Sequence, residues 1–255
     1  ADLIKAEQTD PSWRAGMALL NYSTAESNWD KVVETGKKYI RKYPDNYYIG
    51  LKYSNGLCET IQYGSCNSLM SKMQVLRNEG SYAGRAVYRA ANLYQAMDQF
   101  SKRRYDAALK SIKASEEWPE NLGVGKPYDD QIDKRLEDYL EAKVYEKKGE
   151  TAKAQTLLDK VSSHPTSTRN FESAHLLTAL ALRDTGKQAE ADKLVASWKK
   201  DFPESKPAQW CAAVYHGNMD QARELLSSRY ASNETTPWET GYRDTNFYLI
   251  ARLFK

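Results

Sequence analysis

Chemistry in this chain would have to come from few residues: His164, His175 and His216, Cys58, Cys66 and Cys211, and pairs drawn from 34 acidic side chains. No histidine has a cysteine or carboxylate neighbour at metal-ligand spacing, and neither H-E-x-x-H nor C-x-x-C occurs. His164 precedes Pro165 and reads as a helix-end residue beside a favourable dipole. Cys211 and His216 would make a nucleophilic pair only by converging, because residues five apart share a helix face poorly. Glycoside hydrolysis asks for two carboxylates about 5–10 Å apart. Glu116-Glu117, Asp129-Asp130 and Glu137-Asp138 are adjacent pairs whose simplest reading is solvated helix or loop surface.

Gly125-Lys126 invites a phosphate-loop reading, but the pattern G-x-x-x-x-G-K-[S/T] fails. Asn121 stands close to where glycine is required, and Pro127 replaces the hydroxyl residue. The basic run Lys102-Arg103-Arg104 follows Arg85 and Arg89, with Tyr82, Tyr88 and Tyr94 interleaved. Charge and stacking together can hold single-stranded nucleic acid. Here the tyrosines drift around a helix and Asp98 and Asp106 dilute the charge, which leaves a packed helix with a charged end. The chain is therefore expected to be no enzyme, to use no cofactor and no metal, and to bind no nucleic acid.

What remains is architecture. The 255 residues carry a formal charge of +3, too nearly balanced to argue for nucleic acid or a membrane surface. No apolar run approaches the roughly 20 residues that cross a bilayer. The 18 Tyr and 6 Trp outnumber the 5 Phe, which suits helix seams and wet binding surfaces. Residue 1 is Ala, so the chain is expected to be processed or cut from something longer. The location stays open, with the extracytoplasmic or periplasmic side favoured over the cytoplasm. Three cysteines with one close pair make no disulfide framework. A Cys58–Cys66 bridge would suit an oxidising compartment, while half-buried thiols are the simpler reading.

One phrase recurs: Gly149-Ala154-Leu157-Leu158, Gly186-Ala191-Leu194-Val195 and Gly217-Ala222-Leu225-Leu226. Each glycine stands where two antiparallel helices must turn, just past a helix end. The alanine five residues later lets the helices approach, and the apolar positions that follow recur with helical period. Helix terminators fall at Pro44, Gly80, Pro119, Pro165, Pro203 and Pro237, intervals that signal stacked helix pairs. The spacing predicts an all-α chain of five to six helical hairpins and no sheet, arranged as a single helical-repeat domain. Its units run over about 11–45, 46–80, 81–119, 129–165, 166–203 and 204–237. The stretch 119–128 reads as an inter-repeat linker and 238–255 as a capping helix. Within these units, Asp10-Pro11 is expected to open the first helix, 46–63 to form another despite Gly50 and Gly56, and 65–77 its partner.

These units resemble tetratricopeptide repeats. Ala179, Gly186, Ala191, Trp198 and Pro203 match the pattern best, followed by Ala142, Tyr145, Gly149, Ala154, Val161 and Pro165. The matches at Trp29, Val32, Tyr39 and Pro44, and at Tyr105, Ala108, Ser115 and Pro119, are looser. The resemblance implies a right-handed superhelical solenoid working as a protein-binding scaffold. The run Pro119-Glu-Asn-Leu-Gly-Val-Gly-Lys-Pro127 also looks like a linker in the C-terminal repeat region of large bacterial proteins of mostly unassigned function. Those proteins carry a β-sandwich domain similar to galactose mutarotase. That likeness implies a partner in an upstream domain of the same parent protein, or an accessory role around carbohydrate. Solenoids bind on their concave side. In this register it is expected to present Leu93, Met97 and Phe100, then Tyr139, Lys143 and Glu146, then Leu176, Leu180 and Arg183. The alternative is that these side chains simply pack on one another.

Overall fold

A helical hairpin must reverse the chain without stranding the carbonyls that end its first helix. The structure, a computed structural model, describes residues 2–77, 82–166, 171–231 and 246–254, and in them the chain solves this problem six times in one way. The hairpins are α2 (Trp13–Ala25) with α3 (Trp29–Lys42), α4 (Tyr47–Glu59) with α5 (Tyr63–Met70), and α6 (Ala83–Ser101) with α7 (Tyr105–Ser115). They continue as α8 (Arg135–Lys148) with α9 (Thr151–Ser162), α10 (His175–Asp184) with α11 (Gln188–Asp201), and α12 (Lys206–Tyr215) with α13 (Met219–Ala231). A short α1 (Asp2–Thr9) precedes them and α14 (Phe247–Leu253) follows. The chain is thus all-α, with fourteen α-helices and no strand among the described residues.

Each reversal is closed by one residue in the left-handed region: Ser27 (φ 53°), Ile61 (62°), Arg103 (58°), Gly149 (77°), Gly186 (82°) and Gly217 (74°). The residue after it donates its N–H to a carbonyl five back, as Gln62 does to Leu57 at 2.7 Å and Glu150 to Tyr145 at 2.9 Å. The left-handed residue itself donates three back, as Ile61 does to Cys58 at 3.2 Å and Gly149 to Glu146 at 3.1 Å. This double closure caps the helix end. Five residues past each turn the side chain is buried: Val32, Cys66, Ala108, Ala154, Ala191 and Ala222. The recurring Gly-to-Ala phrase therefore belongs to a six-fold turn, three copies of which use no glycine.

Two compact units divide the chain: Ala1–Gln95 with Ala114–Lys126, and Ala96–Lys113 with Pro127–Lys255. In the first, α1 packs on α2, α2 on α3 and α4, α3 on α4, and α4 on α5. Its core holds Leu20, Val32, Tyr39 and Ile49, flanked by Trp13, Met17, Trp29, Ile40 and Tyr43. Val32 is larger than the alanine of later hairpins, and Gly56 makes the room: a Cβ there would lie 2.7 Å from Val32 Cγ1.

Three sequence expectations are corrected here. The N-cap of the first hairpin is Ser12 rather than Asp10, because the Ser12 hydroxyl is the group that reaches the Ala15 N–H, at 3.3 Å. The 46–63 helix ends at Glu59, and Tyr63 already belongs to its partner, because the Ile61 turn intervenes. That partner stops at Met70 instead of Arg77. Asn121 Nδ2 donates to the carbonyls of Met70 (2.9 Å) and Met73 (2.7 Å), and the Val75 N–H donates to the Asn121 carbonyl (2.8 Å). Leu122, in the stretch read as a linker, is buried with Met73 and Val75 in the first unit. The terminators Gly80 and Pro237, and most of 238–246, lie outside the described residues.

In the second unit each helix from α8 to α13 packs on the next, and α10 also touches α8 and α12. α10 is enclosed: every residue from His175 to Leu182 is buried. Such a helix must be apolar all round, as Leu-Leu-Thr-Ala-Leu-Ala-Leu nearly is. Phe171 sets its ring edge-on to His175, Trp198 and Phe202. At the far end α14 lays Phe247 against Trp210, centroids 5.1 Å apart.

Candidate binding surface

Tyr139, Lys143 and Glu146 stand at i, i+4 and i+7 on α8, a spacing that puts them on one face. Asp184, the last residue of α10, meets them. Its Oδ2 accepts a hydrogen bond from Lys143 Nζ at 2.6 Å and one from the Tyr139 hydroxyl at 3.3 Å. Lys143 also donates to both Glu146 oxygens at 3.0 Å, and its ammonium lies 5.2 Å from the Tyr139 ring centroid. Arg183 continues the strip, 5.4 Å from the Tyr215 ring centroid at the end of α12, with its Nε 4.0 Å from Asp184 Oδ1. The Tyr215 hydroxyl donates to Asp192 at 2.8 Å and accepts from Gln188 at 2.9 Å.

Burial, and then the charge of Asp184, push the Tyr139 phenol far above its ordinary value. Burial also raises Tyr215, helped by its hydrogen bond to Asp192. Both phenols thus stay protonated and act as donors. The strip is a set of fixed donors, acceptors and charges running over α8, α10 and α12, with Lys143 and Arg183 set among Glu146, Asp184 and Asp192.

Four of the nine residues expected to face a partner, Tyr139, Lys143, Glu146 and Arg183, come together in this strip. Tyr139 (8% exposed), Leu93 (0%), Leu176 (0%) and Leu180 (3%) do not face outward, which corrects the expectation for them. The enclosure of α10 on several sides accounts for the last two. Met97 and Phe100 are partly buried, and Phe100 leans its ring on Tyr105. Leu93 belongs to the first unit and the other eight to the second. The sequence reading missed Asp184, which joins the parts. The available signal was its place two residues before the Gly186 turn, where an acidic side chain ends a first helix.

A second polar cluster lies at the start of α8 and α10. Arg135, 2% exposed, forks onto both Asp133 oxygens and donates to Glu172 Oε2 at 2.8 Å. Its Nη1 also meets His175 Nδ1 at 2.9 Å. A guanidinium only donates, so this histidine nitrogen accepts and the ring is neutral. Burial, then the Arg135 charge, bring His175 down to about 4. Burial works against the ionised Asp133, yet the hydrogen bond and charge of Arg135 hold its carboxyl below the usual range. Every strong group here is committed, so the cluster acts as a clamp between hairpins. Among the described residues no group of three or more His, Cys, Asp or Glu side chains could hold a metal ion, and no helix is long and apolar enough to cross a membrane.

Compared with known proteins, the chain matches no family model and no curated protein sequence.

Proposed function

We propose that this chain is a non-catalytic scaffold whose hairpins, within each unit, stack as tetratricopeptide-like repeats in a right-handed solenoid. The strip along α8, α10 and α12 receives another protein or an upstream domain of the same parent chain. The observation that carries this reading is that the strip is already held by its own pairs, with Lys143 seated between Asp184 and Glu146. Side chains fixed before binding lose little entropy when a partner arrives. The Glu146 and Arg183 side chains, 36% and 42% exposed, offer that partner one charge of each sign.

The test is affinity capture from soluble and envelope fractions of the native host, using the full chain and an E146K/R183E double variant. Mass spectrometry is expected to name a protein retained by the first and lost with the second. Equal retention by both would move the interface elsewhere.

A carbohydrate-associated role is the second reading, favoured by the exposed side chains of Tyr22, Tyr82 and Tyr128, each about half exposed or more. Calorimetry with common oligosaccharides is expected to give no saturable heat, and micromolar binding would put this reading first.

A further inference from the structure

Hairpin α4–α5 differs from its neighbours at the crossing. The buried position five residues past its turn is Cys66, and Cys58 lies three residues before the turn on the opposite helix. Their sulfurs are 3.2 Å apart, and Cys66 Sγ also lies 3.3 Å from the Ser54 carbonyl oxygen. A disulfide requires sulfurs at about 2.05 Å and Cα atoms usually about 4.4–6.8 Å apart. The hairpin has already brought the thiols to within roughly 1 Å of bonding distance. Both side chains are fully buried, so a reagent reaches them only when the hairpin opens. The turn between them contains Ile61, a β-branched residue at φ 62° that is 59% exposed. A strained, exposed turn is where local opening starts at low cost.

We infer that Cys58 and Cys66 are a modification site: a dithiol that a disulfide-bearing oxidant, such as oxidised glutathione or a protein disulfide, converts to an intramolecular disulfide. One thiolate attacks a sulfur of the oxidant, forming a mixed disulfide and expelling one thiolate. The second cysteine thiolate attacks the protein sulfur of that mixed disulfide and expels the other. Two electrons pass from the cysteine sulfurs to the oxidant, and the two cysteine protons end on its thiols. The product ties α4 to α5 covalently across the Ile61 turn. Reduction by a dithiol reverses the step.

Both cysteines fall in one tryptic peptide, residues 53–72, and Cys211 falls in another. The full chain is equilibrated in oxidising and then reducing glutathione buffers, quenched by alkylation under denaturing conditions and mapped. Peptide 53–72 is expected to be two hydrogens lighter and unalkylated after oxidation, and doubly alkylated after reduction. Closing so short a loop also raises the melting temperature of the oxidised chain by roughly 4–10 °C. The proposal is overturned if the peptide is doubly alkylated in both buffers, or if either cysteine stops at a glutathione adduct. Because the native chain is its own control, the result does not depend on a cysteine variant folding.

Discussion

Ile61 occupies a backbone region that a β-branched side chain seldom enters, where an L-residue is strained by about 1–2 kcal/mol. Its side chain is mostly exposed, so removing it forfeits little packing. Ile61→Gly should therefore raise stability by about 0.5–1 kcal/mol, after allowing for the greater freedom glycine gives the unfolded chain. The reverse change at the matching turn, Gly149→Ala, should cost about 1 kcal/mol. A Cβ at Gly149 would meet nothing within 4 Å, so that cost is one of backbone conformation alone. Urea midpoints of the two variants should move in opposite directions. Shifts in the same direction would mean that the left-handed position does not govern both turns.

At the scale of elements, the hairpins of the second half are legible because glycine marks each turn and alanine each crossing. Those of the first half are hard to read, since Ser27, Ile61 and Arg103 take the left-handed position by virtue of surrounding structure. The glycines there serve elsewhere: a Cβ on Gly16 would lie 2.6 Å from the Tyr39 ring, inside a helix contact. The candidate site is half legible for a similar reason. Helical spacing on α8 finds Tyr139, Lys143 and Glu146, but nothing local says that Asp184 is their acceptor or that α10 is enclosed. The end of α5 was hidden in the same way, because Asn121 lies about fifty residues downstream of the carbonyls it satisfies. Asn121→Ala removes both hydrogen bonds and should cost about 1–3 kcal/mol. Native-state hydrogen exchange should show the Val75 amide opening faster, and an unchanged rate there would remove Asn121 from this role.

For the molecule as a whole, the Arg135 clamp predicts a response to acid. The His175 ring is neutral in the fold down to about pH 4, whereas the unfolded chain protonates it below its ordinary value of 6.5. The unfolded state thus binds more protons between those limits, and stability must fall as pH drops from about 6.5 to about 4. Asp133, held below its ordinary 3.8, adds stability that is present above that value and lost as pH falls through its lowered one. Urea midpoints should decline across the histidine window, and His175→Gln should flatten the decline there while leaving the steeper loss at lower pH. An identical slope in both proteins would assign the acid response to other groups.

The pairing of Val32 with Gly56 has a consequence for assembly. Six hairpins with one turn geometry could, by their turns alone, dock in the wrong order. Val32 is a bump and Gly56 is the hole cut for it, and a helix bringing any larger residue to that place would collide at 2.7 Å. At this one crossing, where the last four hairpins carry alanine, Val32 therefore restricts its neighbour to a helix that brings glycine to the same place.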